Sequence, residues 1–287
     1  MSGSDNPVGL LEHACRGLGL DPDTWVEARA TSATYPLRRY RDGGLVVEVA
    51  ADAEGRRRLR VEASSRAWAS AHDIPTPTVQ AADPDGRWLV AEWVDPTDSS
   101  GQEYVSRSIE VAGRIAVVGA PPAVGPDAST WRAPRRSTLT RAVRNVVGGV
   151  PPRLFLAARR QVAALDHPRE VAHGDFYPHN VIGSASGVQV VDWEYVGWAP
   201  RHTDLIRMWS VLRSRSDRDQ LMVALLDGAD PTERRRVGAL LLWHSLRLLG
   251  ENLSAPRRGR DPGNTEHARA MVPEASAWAV DLGAWPR

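Results

Sequence analysis

The segment HGDFYPHN at residues 173–180, followed by VVDWE at 190–194, constrains this chain more than any other part of it. It gathers two aspartates, Asp175 and Asp192, and an asparagine, Asn180, around VIGSASGVQVV, which reads as a tight hairpin of two apolar strands. If those strands pair, Asn180 at the entrance of the first meets Asp192 at the end of the second. Strand alternation puts Val188, Val190 and Asp192 on one face. Carboxylates are costly to bring together unless a cation or a proton occupies the space between them. Asn offers a neutral oxygen and Asp an anionic one, which suits a hard cation such as Mg²⁺ that fills its other positions with water and phosphate oxygens. Asp175, five residues before Asn180, then lies in the same cleft, where a carboxylate can orient an attacking hydroxyl and accept its proton. Taken singly, HGD is a turn, NVI a strand start and DWE a helix cap. Their conjunction points to a site.

Composition narrows the setting. A chain of 287 residues can form one large domain or two lobes. A formal net charge of +1 argues against a general nucleic-acid or membrane-surface binder. The single cysteine, Cys15, excludes an intramolecular disulfide framework. MSGSDNPVGL has neither a basic leader nor an apolar core, and no stretch approaches the roughly 18 apolar residues of a membrane helix, so a soluble cytoplasmic protein is expected. All 36 basic residues are arginine. Chemistry that ordinarily uses lysine falls to another residue, and arginine suits bidentate phosphate contacts but does not titrate.

Residues 24–95 read as strand, strand, helix, strand, strand. ATYPLRRY and LVVEVAA flank an RDGG turn. EGRRRLRVEASSRAWASAH has helical composition and stops before DIPTPT, and VQAADPDGRWLVAEWVD gives two strands around a D-G turn. Helices are then predicted over 101–118, 137–166, 204–225 and 231–253, the last opened by Pro231. The loop GAPPAVGPDASTWRAPRR separates the first two. The expected class is α+β: a small antiparallel-sheet lobe with one main helix at 1–95, then a larger, mainly helical lobe at 96–287. There is no P-loop, and the 8 histidines show no zinc spacing.

HGDFYPHN followed by VVDWEYVGWAPRHTDL resembles the signature of the aminoglycoside phosphotransferase and choline kinase family, whose fold is similar to that of protein kinases. The resemblance implies a bilobal kinase-like fold with its catalytic loop at 171–194, ATP or GTP as phosphate donor, Mg²⁺ as cofactor and a small-molecule hydroxyl as acceptor. It implies Asp175 as catalytic aspartate, Asn180 and Asp192 as Mg²⁺ ligands, His173 as a packing residue that braces the loop, and Asp204 of HTDL as the residue that steadies it. Glu92 and Val94 of AEWV correspond to a hinge whose backbone meets the purine edge, with Val46 on a nucleotide-facing strand. Glu62 of RVEA matches the helix glutamate of the small lobe.

One departure is large. The family strand matching LVVEVA carries a lysine that touches the nucleotide phosphates and pairs with the helix glutamate, and here that position is Glu48. A carboxylate about 4 Å from a phosphate oxygen, at an effective dielectric of about 20, costs on the order of 4 kcal/mol. Three accounts follow. Arg39 or Arg41 on the neighbouring strand reaches the phosphates and pairs with Glu48 or Glu62; a second metal sits between Glu48 and the phosphates; or the small lobe no longer binds nucleotide in the usual way and the fold serves as a scaffold. The stretch ARATSATYP, in place of a glycine-rich loop, has small residues but no glycine.

The leading function is therefore a kinase acting on an antibiotic-like or metabolite hydroxyl. The alternatives are a Ser/Thr kinase acting on a peptide in natural-product maturation, and a non-catalytic scaffold with a partner protein. An acceptor pocket in the helical lobe is expected to be acidic or aromatic, with Glu194, Trp198, Trp209, Trp243 and Glu251 as candidates, although tryptophans ordinarily pack in a core.

Overall fold

The RDGG segment closes the first hairpin. Gly43, at φ 54°, sits in the two-residue turn between β2 (Leu37–Asp42) and β3 (Leu45–Ala50), a conformation that costs glycine little because it has no Cβ. The structure, a computed structural model, describes residues 7–28, 37–97, 99–119, 143–185, 187–254 and 262–285. Most of ARATSATYP lies outside these residues.

A five-stranded antiparallel sheet forms around this hairpin in the order β1-β2-β3-β5-β4, with β1 at Val26–Ala28, β4 at Val79–Ala82 and β5 at Trp88–Glu92. Alternation divides the sheet into two faces. Tyr40, Val47, Val49 and Val90 pack with Leu10, Leu11 and Ala14 of α1 (Pro7–Leu18), a helix not among those predicted. Leu37, Val46, Ala50, Leu89 and Ala91 pack with Leu59 of α2 (Ala53–Ala71) on the other face. Asp52 caps α2 by accepting from the Gly55 N–H at 2.8 Å. Register sets Arg39 opposite Glu48 and Arg41 opposite Val46, so both arginines share the α2 face.

The remainder is mostly helical: α3 (Gly101–Val117), α4 (Pro152–Ala164), α5 (Thr203–Trp209), α6 (Arg215–Leu226), α7 (Pro231–Ser254) and α8 (Pro262–Asp281). Two expected helices are interrupted. Within 137–166 the described part is helical over 143–147, then breaks at Gly148 and Gly149 before α4 begins on Pro152. Within 204–225 the chain turns after Trp209 and restarts at Ser214, whose hydroxyl accepts from the Asp217 N–H at 3.3 Å. Helix α8 carries Pro273 inside it, which reads as a breaker in sequence.

The predicted hairpin is present as β7 (Val181–Ser184) and β8 (Gly187–Val190), beside an unpredicted pair, β6 (Arg169–Ala172) and β9 (Gly197–Pro200). Phe176, Val181, Val190, Trp193, Ile206 and Trp209 belong to the main core, and Phe155, Trp243 and Leu246 to a second cluster. The segment after α2 ties the sheet to the hairpin: Pro75 O accepts from the Val190 N–H at 2.9 Å, and Thr76 Oγ1 donates to the Val190 carbonyl at 3.0 Å. No helix among the described residues is long and apolar enough to cross a membrane.

Candidate active site

The loop leaving β6 turns sharply at Gly174, at φ 82°, where a Cβ would lie 2.3 Å from the Tyr195 carbonyl oxygen. Only glycine fits there, and the turn presents Asp175 to the cleft. Asp204, on the first turn of α5, holds the loop from behind. Its Oδ2 accepts from the His173 N–H at 2.7 Å and its Oδ1 from the Gly174 N–H at 3.0 Å. Burial pushes the Asp204 carboxyl up to about 6 despite those bonds.

His173 joins the loop to the strand that leads to Asp192. Burial lowers it to about 4, so the ring is neutral near pH 7. Nε2 then donates to the Val191 carbonyl at 3.0 Å, and Nδ1 accepts from the Asp175 N–H at 3.3 Å. Trp193 meets the ring edge-on with centroids 4.8 Å apart.

Asp175 is fixed at both oxygens. Asn180 Nδ2 donates to Oδ2 at 2.9 Å, and Arg207 Nη1 donates to Oδ1 at 3.1 Å. Burial raises its pKa while Arg207 opposes the shift. The sequence reading missed Arg207, although its place three residues after Asp204 puts it on the same face of α5.

Asn180 also donates to the Asp175 carbonyl, at 2.9 Å, and these two bonds fix which end of its amide is oxygen. Asn180 Oδ1 is buried with no hydrogen-bond partner. Asp192 does not continue the alternation of β8. The strand ends at Val190, and Asp192 takes a left-handed conformation, φ 59° and ψ 58°, that carries its side chain out of the core side on which Val188 and Val190 lie. The expectation that all three share a face is thus corrected by that turn. A buried, orphaned amide oxygen and a carboxylate on adjoining strands fit a hard cation with few protein ligands. Among the described residues no group of three or more His, Cys, Asp or Glu side chains is arranged for a metal.

Across the cleft, Arg39 lies between two acids. Its Nε donates to Glu48 Oε1 at 2.5 Å and its Nη2 to Asp192 Oδ1 at 2.5 Å. Arg41 instead lies over the Trp93 ring at 4.8 Å. Glu62 pairs with Arg66, one turn on in α2, at 2.6 Å. Burial raises the Glu62 carboxyl above its ordinary range, with Asp192 and Glu48 adding to the shift. At the end of β5 the Glu92 N–H donates to Thr78 O and the Trp93 N–H to Gly44 O, and Val94 follows directly.

The acceptor-pocket candidates separate. Trp209 is fully buried in the main core and Trp243 packs with Phe155 in the second cluster, so neither presents a wall to a ligand. Glu194 accepts from Arg58 of α2 at 2.9 Å, and Glu251 from Arg247 at 3.4 Å. Trp198, on β9, is 45% exposed.

No curated protein sequence matches the chain. The model of the phosphotransferase enzyme family matches residues 26–240. The chain belongs to that family. This phosphotransferase, a kinase in the broad sense, shares its fold with solved structures of low sequence identity. A choline/ethanolamine kinase family protein from Mesorhizobium loti is 19% identical with a TM-score of 0.63, over 94% of this chain and 98% of that one. A macrolide 2′-phosphotransferase from Brachybacterium faecium is 19% identical with a TM-score of 0.59, over 92% and 97%. An ADP-bound aminoglycoside phosphotransferase, APH(2″)-Ib, is 10% identical with a TM-score of 0.60, over 99% and 100%. These likenesses carry the kinase-like α+β fold, and the five-stranded sheet followed by helices agrees with it.

Proposed function

We propose that this phosphotransferase moves the terminal phosphate of ATP or GTP to a hydroxyl of a small molecule, with Mg²⁺ held by Asn180 and Asp192. The observation that carries the reading is the buried, unpartnered Asn180 Oδ1, oriented by the same amide that fixes Asp175. A bound Mg²⁺ would neutralise charge on the phosphates. The chain's own residues do the rest. Arg207 and Asn180 hold the Asp175 carboxylate in one orientation. Burial makes that carboxylate a better proton acceptor, so it aligns the acceptor hydroxyl and takes its proton as the oxygen attacks phosphorus. Residues 1–95 form the nucleotide lobe, with Val46 beneath the purine and the backbone of Glu92 and Val94 as the hinge. Residues 96–287 carry the catalytic loop and the acceptor.

The three relatives above are named for choline or ethanolamine, macrolides and aminoglycosides, which favours a small-molecule acceptor over a peptide. Arg39 against Glu48 favours catalysis over a scaffold, since the reversed charge has its own counter-ion. The test is transfer from γ-labelled ATP or GTP with Mg²⁺ to amino alcohols, sugars, macrolides and aminoglycosides. The expected result is a phosphomonoester product from wild type, formed about 10²–10⁴-fold more slowly by Asp175→Asn. Equal transfer by Asp175→Asn would overturn the assignment.

A further inference from the structure

The structure assigns Arg39 as the phosphate-binding cation of the small lobe and Glu48 as the residue that positions it: the ion pair expected between a β3 cation and the α2 glutamate is replaced by one across the β2–β3 ladder. The inference rests on the nucleotide site proposed above. A Mg²⁺ held by Asn180 and Asp192 would neutralise charge on the donor's phosphates, which places the phosphate subsite beside Asp192. The guanidinium of Arg39 already touches Asp192 Oδ1, and Glu48 fixes its Nε edge, which turns the Nη side toward Asp192. Glu48 is 3% exposed and anchored in β3, so it can serve as a fixed tether. Other arginines of the region, among the described residues, are directed elsewhere. Arg66 is buried against Glu62, Arg41 lies on Trp93, and Arg58 joins Glu54 and Glu194.

This arrangement explains how an acid can occupy the β3 position without repelling the nucleotide. Directly opposed residues on antiparallel strands have Cβ atoms about 5 Å apart, less than the reach of an arginine side chain. A cation moved to β2 therefore delivers its charge to nearly the same place, provided that the vacated position supplies an acid to hold it. Arginine is suited to this because its planar fork engages two acceptors and a phosphate at once.

The experiment measures Mg·ATP and Mg·GTP affinity by calorimetry, with unfolding curves to confirm that each variant is folded. Arg39→Gln keeps a hydrogen-bond donor for Glu48 but removes the charge, and weakens binding by roughly 10- to 100-fold. Adding Glu48→Lys to that variant returns a cation to β3 and recovers most of the loss. Arg39→Lys, which keeps the charge and is the milder change should Arg39→Gln fold poorly, loses about tenfold. Wild-type affinity in Arg39→Gln or in Arg39→Lys would overturn the assignment of Arg39. A double variant no tighter than Arg39→Gln would overturn the exchange of strands. Failure of the wild type to bind either nucleotide would instead overturn the phosphotransfer reading, and this inference with it.

Discussion

The two walls of the cleft arrange their charges by different rules. On the helical wall the acids are placed by individual hydrogen bonds rather than by strand register. Asn180, five residues from Asp175, fixes one of its oxygens, and Asp204 grips the loop through two backbone N–H groups. On the sheet wall the charges depend on strand register, which sets Arg39 opposite Glu48 and hands Asp192 a partner from another part of the chain. A loop of fixed spacing tolerates little change in residue type. A ladder allows cation and anion to exchange strands while the charge at the cleft stays nearly in place. The Asp175 loop therefore keeps its expected residues beside a sheet with a reversed charge.

The largest expected effect tests whether the helical wall works as a catalyst. Asp175→Asn should slow phosphoryl transfer by about 10²–10⁴-fold while nucleotide affinity changes little, as seen in parallel turnover and calorimetry. Parallel loss of both would mean that Asp175 supports the loop. Next, Trp209→Ala should destabilise the fold by about 3–5 kcal/mol in denaturant unfolding because it empties a fully buried position. Trp198→Ala, at a half-exposed position, should cost under about 1 kcal/mol. A Trp198→Ala variant that loses acceptor affinity at unchanged stability would place that side chain on the acceptor.

A third prediction concerns pH. Burial pushes the Glu170 carboxyl up to about 7, while its Oε1 accepts from the His202 N–H at 2.6 Å. The folded protein therefore keeps this proton to about pH 7, whereas an unfolded chain releases it near about 4.3. The contribution is full below the unfolded value and is lost as pH rises through that window. Glu170→Gln has no proton to lose and still accepts from His202. Its stability relative to wild type should rise by about 2–3 kcal/mol between about pH 4.5 and 7. A flat difference would show that the group is ionised in the fold. The smallest effect is Arg58→Ala, which breaks the Glu194 contact between α2 and the turn after Asp192 and should cost about 1 kcal/mol or less.

Most of the helical wall was legible because its message is local. HGD, the Asn five residues on and an Asp after the next strand can be read without knowing the fold, and the hairpin between them has plain turn residues. Arg207 was readable in principle from its spacing to Asp204. The left-handed turn at Asp192 was not, since aspartate in a strand-like run gives no sign of it. On the sheet wall the sequence offered Arg39 or Arg41 as one of three accounts of Glu48, and the contacts of Arg39 with Glu48 and Asp192, beside the packing of Arg41 on Trp93, distinguish the two arginines. Glu194 read as a pocket candidate, and its partner Arg58, 136 residues away, gave no sign in sequence.

The most direct test of the account is calorimetric titration of the wild type and Asp192→Asn with ATP and with GTP, each with and without Mg²⁺. The account predicts nucleotide binding that Mg²⁺ strengthens in the wild type and that loses its Mg²⁺ dependence in Asp192→Asn. Binding of neither nucleotide by the wild type, or Mg²⁺-dependent binding that survives Asp192→Asn unchanged, would contradict it.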